Sequence, residues 1–166
     1  MRLLRSFFAL VLVGLATTAV AVAVPPTSTT RTGGLHFVGQ PDVTATKSGN
    51  TAFLTATGEV AGAGPAATAT LSATAEVVRG CINRGRKGQE PSGLQRSFEA
   101  VLGSTTFRTR SGRGSFTVVS DAVDVAGFAC PDRMTPVLVS ANFTGVRLTV
   151  TSQTGSTTAI FPDIDP

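Results

Sequence analysis

Tryptophan and tyrosine are absent from this 166-residue chain, histidine occurs once, cysteine twice, and charged residues make up only 14%. Each shortage excludes something. Two cysteines and one histidine cannot supply a multi-Cys or Cys/His zinc site, an iron–sulfur cluster or a disulfide-dense mini-protein. Without Trp or Tyr there is no platform of the kind on which sugar rings usually stack, and only Phe is left to stack nucleobases. The glycines never take the Gly-x4-Gly-Lys-Ser/Thr form, so there is no phosphate loop. No run of ten or more residues has helical period. Gly (18) and Pro (9) are too few for a collagen-like or low-complexity chain. The length suits one domain plus extras.

What is present begins with an export signal. Arg2 and Arg5 precede an uncharged run from Phe7 to Val24. Ala19-Val20-Ala21 and Ala21-Val22-Ala23 both satisfy the small-x-small rule of signal peptidase, and Pro25-Pro26 would end any helix. The run of 18 residues barely reaches spanning length, so residues 1–23 read as a cleaved signal peptide, with an uncleaved anchor as the competing reading. Cleavage after Ala23 would leave 143 residues, with twelve cations against ten acids. It would also remove the segment that makes the mean hydropathy positive. Residues 24–34, VPPTSTTRTGG, offer nothing to bury and read as a disordered linker.

From residue 35 onward the period is two. In Ala67–Val78, Ala67, Ala69, Leu71, Ala73, Ala75 and Val77 alternate with Thr68, Thr70, Ser72, Thr74 and Glu76, the pattern of a half-buried strand. Further strands are expected at Leu35–Val38, Val43–Thr46, Ala52–Val60, Leu94–Leu102, Ser104–Thr109, Ser115–Ser120, Pro136–Thr144, Val146–Ser152 and Thr157–Phe161. Gly, Asn and Pro punctuate the breaks, and Ser48–Asn50 and Thr154–Ser156 are short enough for hairpin turns. The expected architecture for residues 35–166 is all-β: a two-sheet antiparallel sandwich, immunoglobulin-like, with a closed barrel as the alternative. Lacking Trp, its core would draw on Phe98, Phe107, Phe116, Phe128 and Phe143 against the alanine face of Ala67–Val77. Phe53 falls on the Thr side of its strand and reads as a bulge or register shift rather than an exposed aromatic.

Cys81 and Cys130 are the only thiols. In an exported chain two cysteines most often make one disulfide. Closing a loop of about 50 residues would contribute roughly 4 kcal/mol, a large part of a domain's stability. A redox or metal pair fits poorly, because the cysteines are far from a Cys-x-x-Cys spacing and further ligands are lacking.

Around these cysteines the chain resembles a set of small exported proteins of actinobacteria. The residues concerned are Ala75-Glu-Val-Val-Arg-Gly-Cys81-Ile-Asn83-Arg-Gly85, Pro91-Ser-Gly93, Cys130-Pro131 and the segments Val137–Phe143 and Val146–Val150. Such proteins carry a Cys-x-Asn-x-Gly loop, a Pro-Gly turn, a later Cys-Pro and a final hairpin. The resemblance spans Val43 to Phe161. Arg86 and Lys87 stand where that loop is usually Gly- or Asn-rich, and Ser92 interrupts the Pro-Gly pair. It implies export, the disulfide and a β fold, and brings no catalytic residue and no cofactor.

Candidate chemistry is sparse. Nucleophilic catalysis needs a base near Ser or Cys, and the single His36 sits between Leu35 and Phe37 in a strand. Paired carboxylates, Asp121 with Asp124 or Glu90 with Glu99, could serve a hydrolase; Asp121-x-x-Asp124 reads more simply as a polar corner. Asp132, Asp163 and Asp165 lack calcium-loop spacing. No metal and no cofactor is expected.

Charge carries more. Residues 79–113 hold eight cations (Arg79, Arg84, Arg86, Lys87, Arg96, Arg108, Arg110 and Arg113) against Glu90 and Glu99. If the loop after Cys81 and the turn Ser111–Gly114 share one end of the sandwich, then Arg84, Arg86, Lys87, Arg110 and Arg113 form one basic patch. Such a patch attracts polyanions. The expected function is an exported, non-enzymatic β-sandwich, secreted or held at the cell envelope, that binds an anionic envelope polymer or an acidic protein. Export disfavours nucleic acid. The competing readings are a secreted hydrolase using Asp121 and Asp124, and a proteinase inhibitor presenting Arg84 to Lys87.

Overall fold

The structure, a computed structural model, describes residues 23–83, 85 and 90–166. Among them there is no helix, and the chain forms nine strands in two antiparallel sheets. The strands are β1 (Ser28–Gly33), β2 (His36–Phe37), β3 (Asp42–Ser48), β4 (Thr51–Ala61), β5 (Ala66–Asn83), β6 (Ser92–Arg108), β7 (Gly114–Val119), β8 (Met134–Ser152) and β9 (Gly155–Ile160). One sheet has the order β1-β9-β8-β5-β6. In the other, β4 is central: Thr55–Thr57 pair with β3 on one edge and β7 on the other, and β2 continues the β3 edge past Val60. The expected two-layer sandwich is therefore the fold.

Alternation explains the core. Ala67, Ala69, Leu71, Ala73, Ala75 and Val77 of β5 all face inward and are buried. They meet Phe143, Val146, Leu148 and Val150 of β8 and, from the facing sheet, Val43, Leu54, Ala56, Val60, Phe116 and Val118. Alanine on β5 leaves the volume that Phe143, Phe116 and the leucines fill. Phe98 is not part of this core: it lies on the outer face opposite Glu76 and is 66% exposed. Phe53 marks no bulge, because β3 and β4 pair without a register shift and Phe53 lies opposite Thr46 on the outer face.

Two breaks expected in the chain are not breaks. Leu94–Leu102 and Ser104–Thr109 form the single strand β6, and the residues on either side of Gly145 form the single strand β8. At Gly145 (φ +62°), Gly145 and Val146 together oppose Ala73 alone, a bulge that lets β8 continue with a stronger twist. Gly93 does the same at the start of β6, where two residues oppose Gly80. Gly103 stays in register with Leu71 for another reason. A Cβ there would overlap the main-chain carbonyl of Val119. At that corner the two sheets touch backbone to backbone, and the Asp121 N–H donates to the Leu102 carbonyl (2.8 Å).

Residues 24–34 are not a disordered linker. Val24 pairs with Val43, and Ser28–Gly33 form β1 on the edge of β9. Every side chain of β1 is exposed, so burial does not hold it. Main-chain pairing does, together with hydroxyls: Thr27 donates to the Ile160 carbonyl (3.0 Å), Thr32 meets Ser156 (2.9 Å) and the buried Thr157 donates to the Thr30 carbonyl (3.2 Å). Backbone bonding of a Thr-rich segment to an open edge leaves no hydrophobic signature in sequence. The signal-peptide reading falls on residues 1–22, which lie outside the described residues, and Ala23.

Candidate functional site

The end of the sandwich where β5 leaves the sheet is built most elaborately. Cys81, buried at the end of β5, is bonded to Cys130. Cys130 belongs to the segment that follows β7, whose Val123 pairs with Ala52 of the facing sheet. The disulfide thus ties the long sheet to a segment anchored on the other one.

One turn of the strand earlier, Arg79 points inward and keeps only 12% of its side chain exposed. A buried guanidinium must find acceptors. Its Nε donates to the Asp124 carbonyl (2.6 Å), and its Nη1 donates to Ser97 Oγ (2.8 Å) and Glu99 Oε1 (2.5 Å). Ser97 Oγ in turn donates to Glu99 (3.0 Å). These bonds hold the Glu99 carboxyl below its ordinary pKa: the Arg79 hydrogen bond acts most strongly, partial burial opposes it, and Ser97 adds to the lowering. At the same end, Asn50 in the β3–β4 turn accepts from the Leu138 N–H (3.1 Å) and donates to the Pro136 carbonyl (3.2 Å), linking the sheets again.

From this braced end springs the connection between Asn83 and Glu90. Asn83 Oδ1 accepts from the Gly85 N–H (3.2 Å), and Ser92 Oγ donates to the Cys81 carbonyl (3.4 Å). Arg84, Arg86 and Lys87 lie outside the described residues.

The shared end that the expected basic patch required does not hold for Arg110 and Arg113 relative to Cys81. Along the β5–β6 ladder, Cys81 is opposite Ser92 while Ala66 is opposite Arg108. The turn carrying Arg110 and Arg113 therefore sits at the other end of β5 from Cys81, about 50 Å away at roughly 3.3 Å per residue. Arg110 and Arg113 close that turn by a main-chain pair, and Arg113 is further bound to Glu59 (3.0 Å). A short loop signal in sequence says nothing about which end of an 18-residue strand it belongs to.

Other cations are also neutralised. Arg79 is held by Glu99, and Arg96 by Glu76 (2.7 Å). Glu99 is thus the partner of an arginine, not one of a pair of carboxylates. Asp124 Oδ1 accepts from the Ala126 N–H (2.7 Å), which makes it a turn former, while Asp121 is exposed. His36 is exposed, with Nδ1 against the Gly34 carbonyl (3.0 Å). It lines an open cleft of about 490 Å3 between β1 and β2, with Thr27, Thr29, Arg31, Phe37 and Gln40. Sequence reasoning missed this cleft because β1 was not expected to exist. Among the described residues, no group of three or more His, Cys, Asp or Glu could hold a metal ion, and no helix is long and apolar enough to cross a membrane.

Comparison of this chain with models of protein families, with curated proteins and with solved structures finds no match.

Proposed function

We propose that the chain is an exported, non-enzymatic module that binds or decorates the cell surface, with the basic loop between β5 and β6 as its contact region. The disulfide supports export, since such bonds persist in oxidising compartments. Arg2, Arg5, the apolar run and the Ala-x-Ala sites support a cleaved leader, and the resemblance to small exported actinobacterial proteins agrees with it. The observation that carries the reading is the bracing of the loop's base. Cys81–Cys130 and the Arg79 network fix the strands that flank it, and Asn50 ties down the adjacent β8. Binding residues are typically presented on loops by such a rigid base.

Charge points the same way. Arg79, Arg96 and Arg113 are each bound to a glutamate, so the reading rests on the sequence cluster Arg84, Arg86 and Lys87. Three cations within four positions attract an anionic envelope polymer or an acidic protein surface. Asp124 serves a turn and Glu99 serves Arg79, which supports a role by contact over hydrolysis.

The test replaces Arg84, Arg86 and Lys87 by Ser and measures retention on a teichoic-acid-coated support across a salt gradient. The substituted chain is expected to elute earlier, with a flatter dependence on salt. Retention equal to that of the parent chain at every salt concentration would overturn the reading.

A further inference from the structure

The exposed edges of the two sheets are not alike. β1 presents only Ser, Thr, Arg and Gly. β3 carries Asp42 and Lys47, the kind of charge that blunts an edge. β7 runs up to β6 at the corner closed by Asp121 and Leu102. β6 is different. It is 17 residues long and, among the described residues, pairs only with β5, and between the Gly93 bulge and Leu102 none of their inter-element main-chain bonds involves its outer edge. On that stretch Leu94, Phe98 and Leu102 are 58%, 66% and 54% exposed.

The direction of the free groups follows from one bond. The Leu102 carbonyl points away from β5, because it accepts from Asp121. Main-chain groups alternate along a strand, so Leu94, Arg96, Phe98 and Ala100 also aim their N–H and C=O groups away from β5. The same residues share the outer face. That face reads Leu94, Arg96, Phe98, Ala100, Leu102, with its large apolar side chains placed symmetrically about Phe98.

We propose that β6 pairs antiparallel with β6 of a second copy of this chain about a two-fold axis at Phe98, joining two five-stranded sheets into one continuous sheet. A two-fold interface must be self-complementary, and this register is. Phe98 lies opposite Phe98, Leu94 opposite Leu102, Arg96 opposite Ala100, and Ser97 opposite Glu99, so no like charges face each other. The pairs at Phe98 and at Arg96 with Ala100 would exchange about six main-chain bonds. Neighbouring registers fail. Centring on Arg96 sets Arg opposite Arg, and centring on Glu99 sets Glu opposite Glu; like charges directly opposed are destabilising. Centring on Ser97 leaves Leu102 facing Ser92. Centring on Ala100 drives the ladder past Leu102, whose carbonyl already belongs to Asp121.

The experiment uses the processed chain, residues 24–166, folded and oxidised. Sedimentation from about 1 µM to about 1 mM should show a monomer–dimer equilibrium, and Phe98→Glu should raise the dimer dissociation constant by at least about tenfold. Phe98 is mostly exposed, so the variant should keep the parent circular dichroism. Register is read by cross-linking. Residues opposed in a hydrogen-bonded pair have Cα atoms about 5.5 Å apart, within disulfide range. Phe98→Cys should therefore oxidise to a covalent dimer, while Ser104→Cys, on the same face but opposite Ser92 of the second copy, should remain monomeric. A parent chain that stays monomeric throughout, a dimer unaffected by Phe98→Glu, or equal cross-linking of the two cysteine variants would each overturn the proposal.

Discussion

Arg79 shows how a single buried charge organises its surroundings. Its three acceptors come from three places in the chain: the Asp124 carbonyl, Ser97 and Glu99. Glu99 is the member of this network whose titration the hydrogen bonds shift. Its native pKa lies below the ordinary 4.5, chiefly because Arg79 and Ser97 donate to the ionised form. A depressed native value stabilises the fold fully above the unfolded pKa, and that contribution is lost as pH falls through the native one. Glu99→Gln removes the titration. We expect the variant to melt below the parent at pH 7, by an amount worth less than about 1 kcal/mol because the carboxylate is partly exposed. The gap should narrow as pH falls from 7 to about 3. Thermal melts of both chains across that range provide the check; a gap that does not change with pH would mean that Glu99 contributes by packing and not by charge.

At the scale of elements, strand length and sheet contact follow from a few glycines. β8 runs 19 residues and β5 runs 18, far beyond the usual five or six, and bulges let their partners follow the twist. Gly103 has a separate task at the seam between β6 and β7, where the Val119 carbonyl occupies the space of a Cβ. Gly103→Ala must push two backbones apart and should destabilise the fold by about 1–3 kcal/mol or more. Its urea midpoint should fall without a change of slope, whereas Gly39→Ala, where a Cβ meets nothing, tests the cost of a positive φ alone. The seam also shows what the sequence does and does not disclose. The alternation of Ala67–Val77 dictates the buried face of β5, and nearly every strand centre is visible in the same way. Glycine reads equally well as a chain break, a bulge or a close approach, so Gly103 and Gly145 read as strand ends in sequence yet lie inside β6 and β8. β1 was hidden because its attachment is made by backbone and hydroxyl groups. The disulfide was legible from the cysteine count together with the export expected of the N-terminal sequence. The separation of Arg110 and Arg113 from the loop after Cys81 was not, because it depends on how far the β5–β6 hairpin runs.

For the whole molecule, the question is what keeps the two layers together at the end bearing the basic loop. The core face of β5 is largely alanine, so each residue there buries little apolar area, and hydrophobic stabilisation scales with that area. At one side the sheets meet directly through Gly103 and Asp121. At the Cys81 end polar and covalent links add to the packing of Leu138 and Val123: Asn50 to Leu138 and Pro136, Arg79 to Asp124, and Cys81 to Cys130. The disulfide is the only one of these that also restrains the unfolded chain. Joining positions 49 apart removes loop-closure freedom worth roughly 4 kcal/mol. Replacing both cysteines by Ala should lower the unfolding free energy by about that amount, measured by urea denaturation of chains that are otherwise identical. The loss should also be uneven in space. Amide exchange should accelerate first at Ile82 and Leu138, beside the missing bond, while Ala69 and Val150 at the far end of the ladder keep protection close to the global value. Uniform acceleration along β5 would mean that the bond acts only through the unfolded chain. Local fraying confined to the Cys81 end would mean that it holds in place the strand ends from which the basic loop emerges, and binding by that loop should then weaken in parallel.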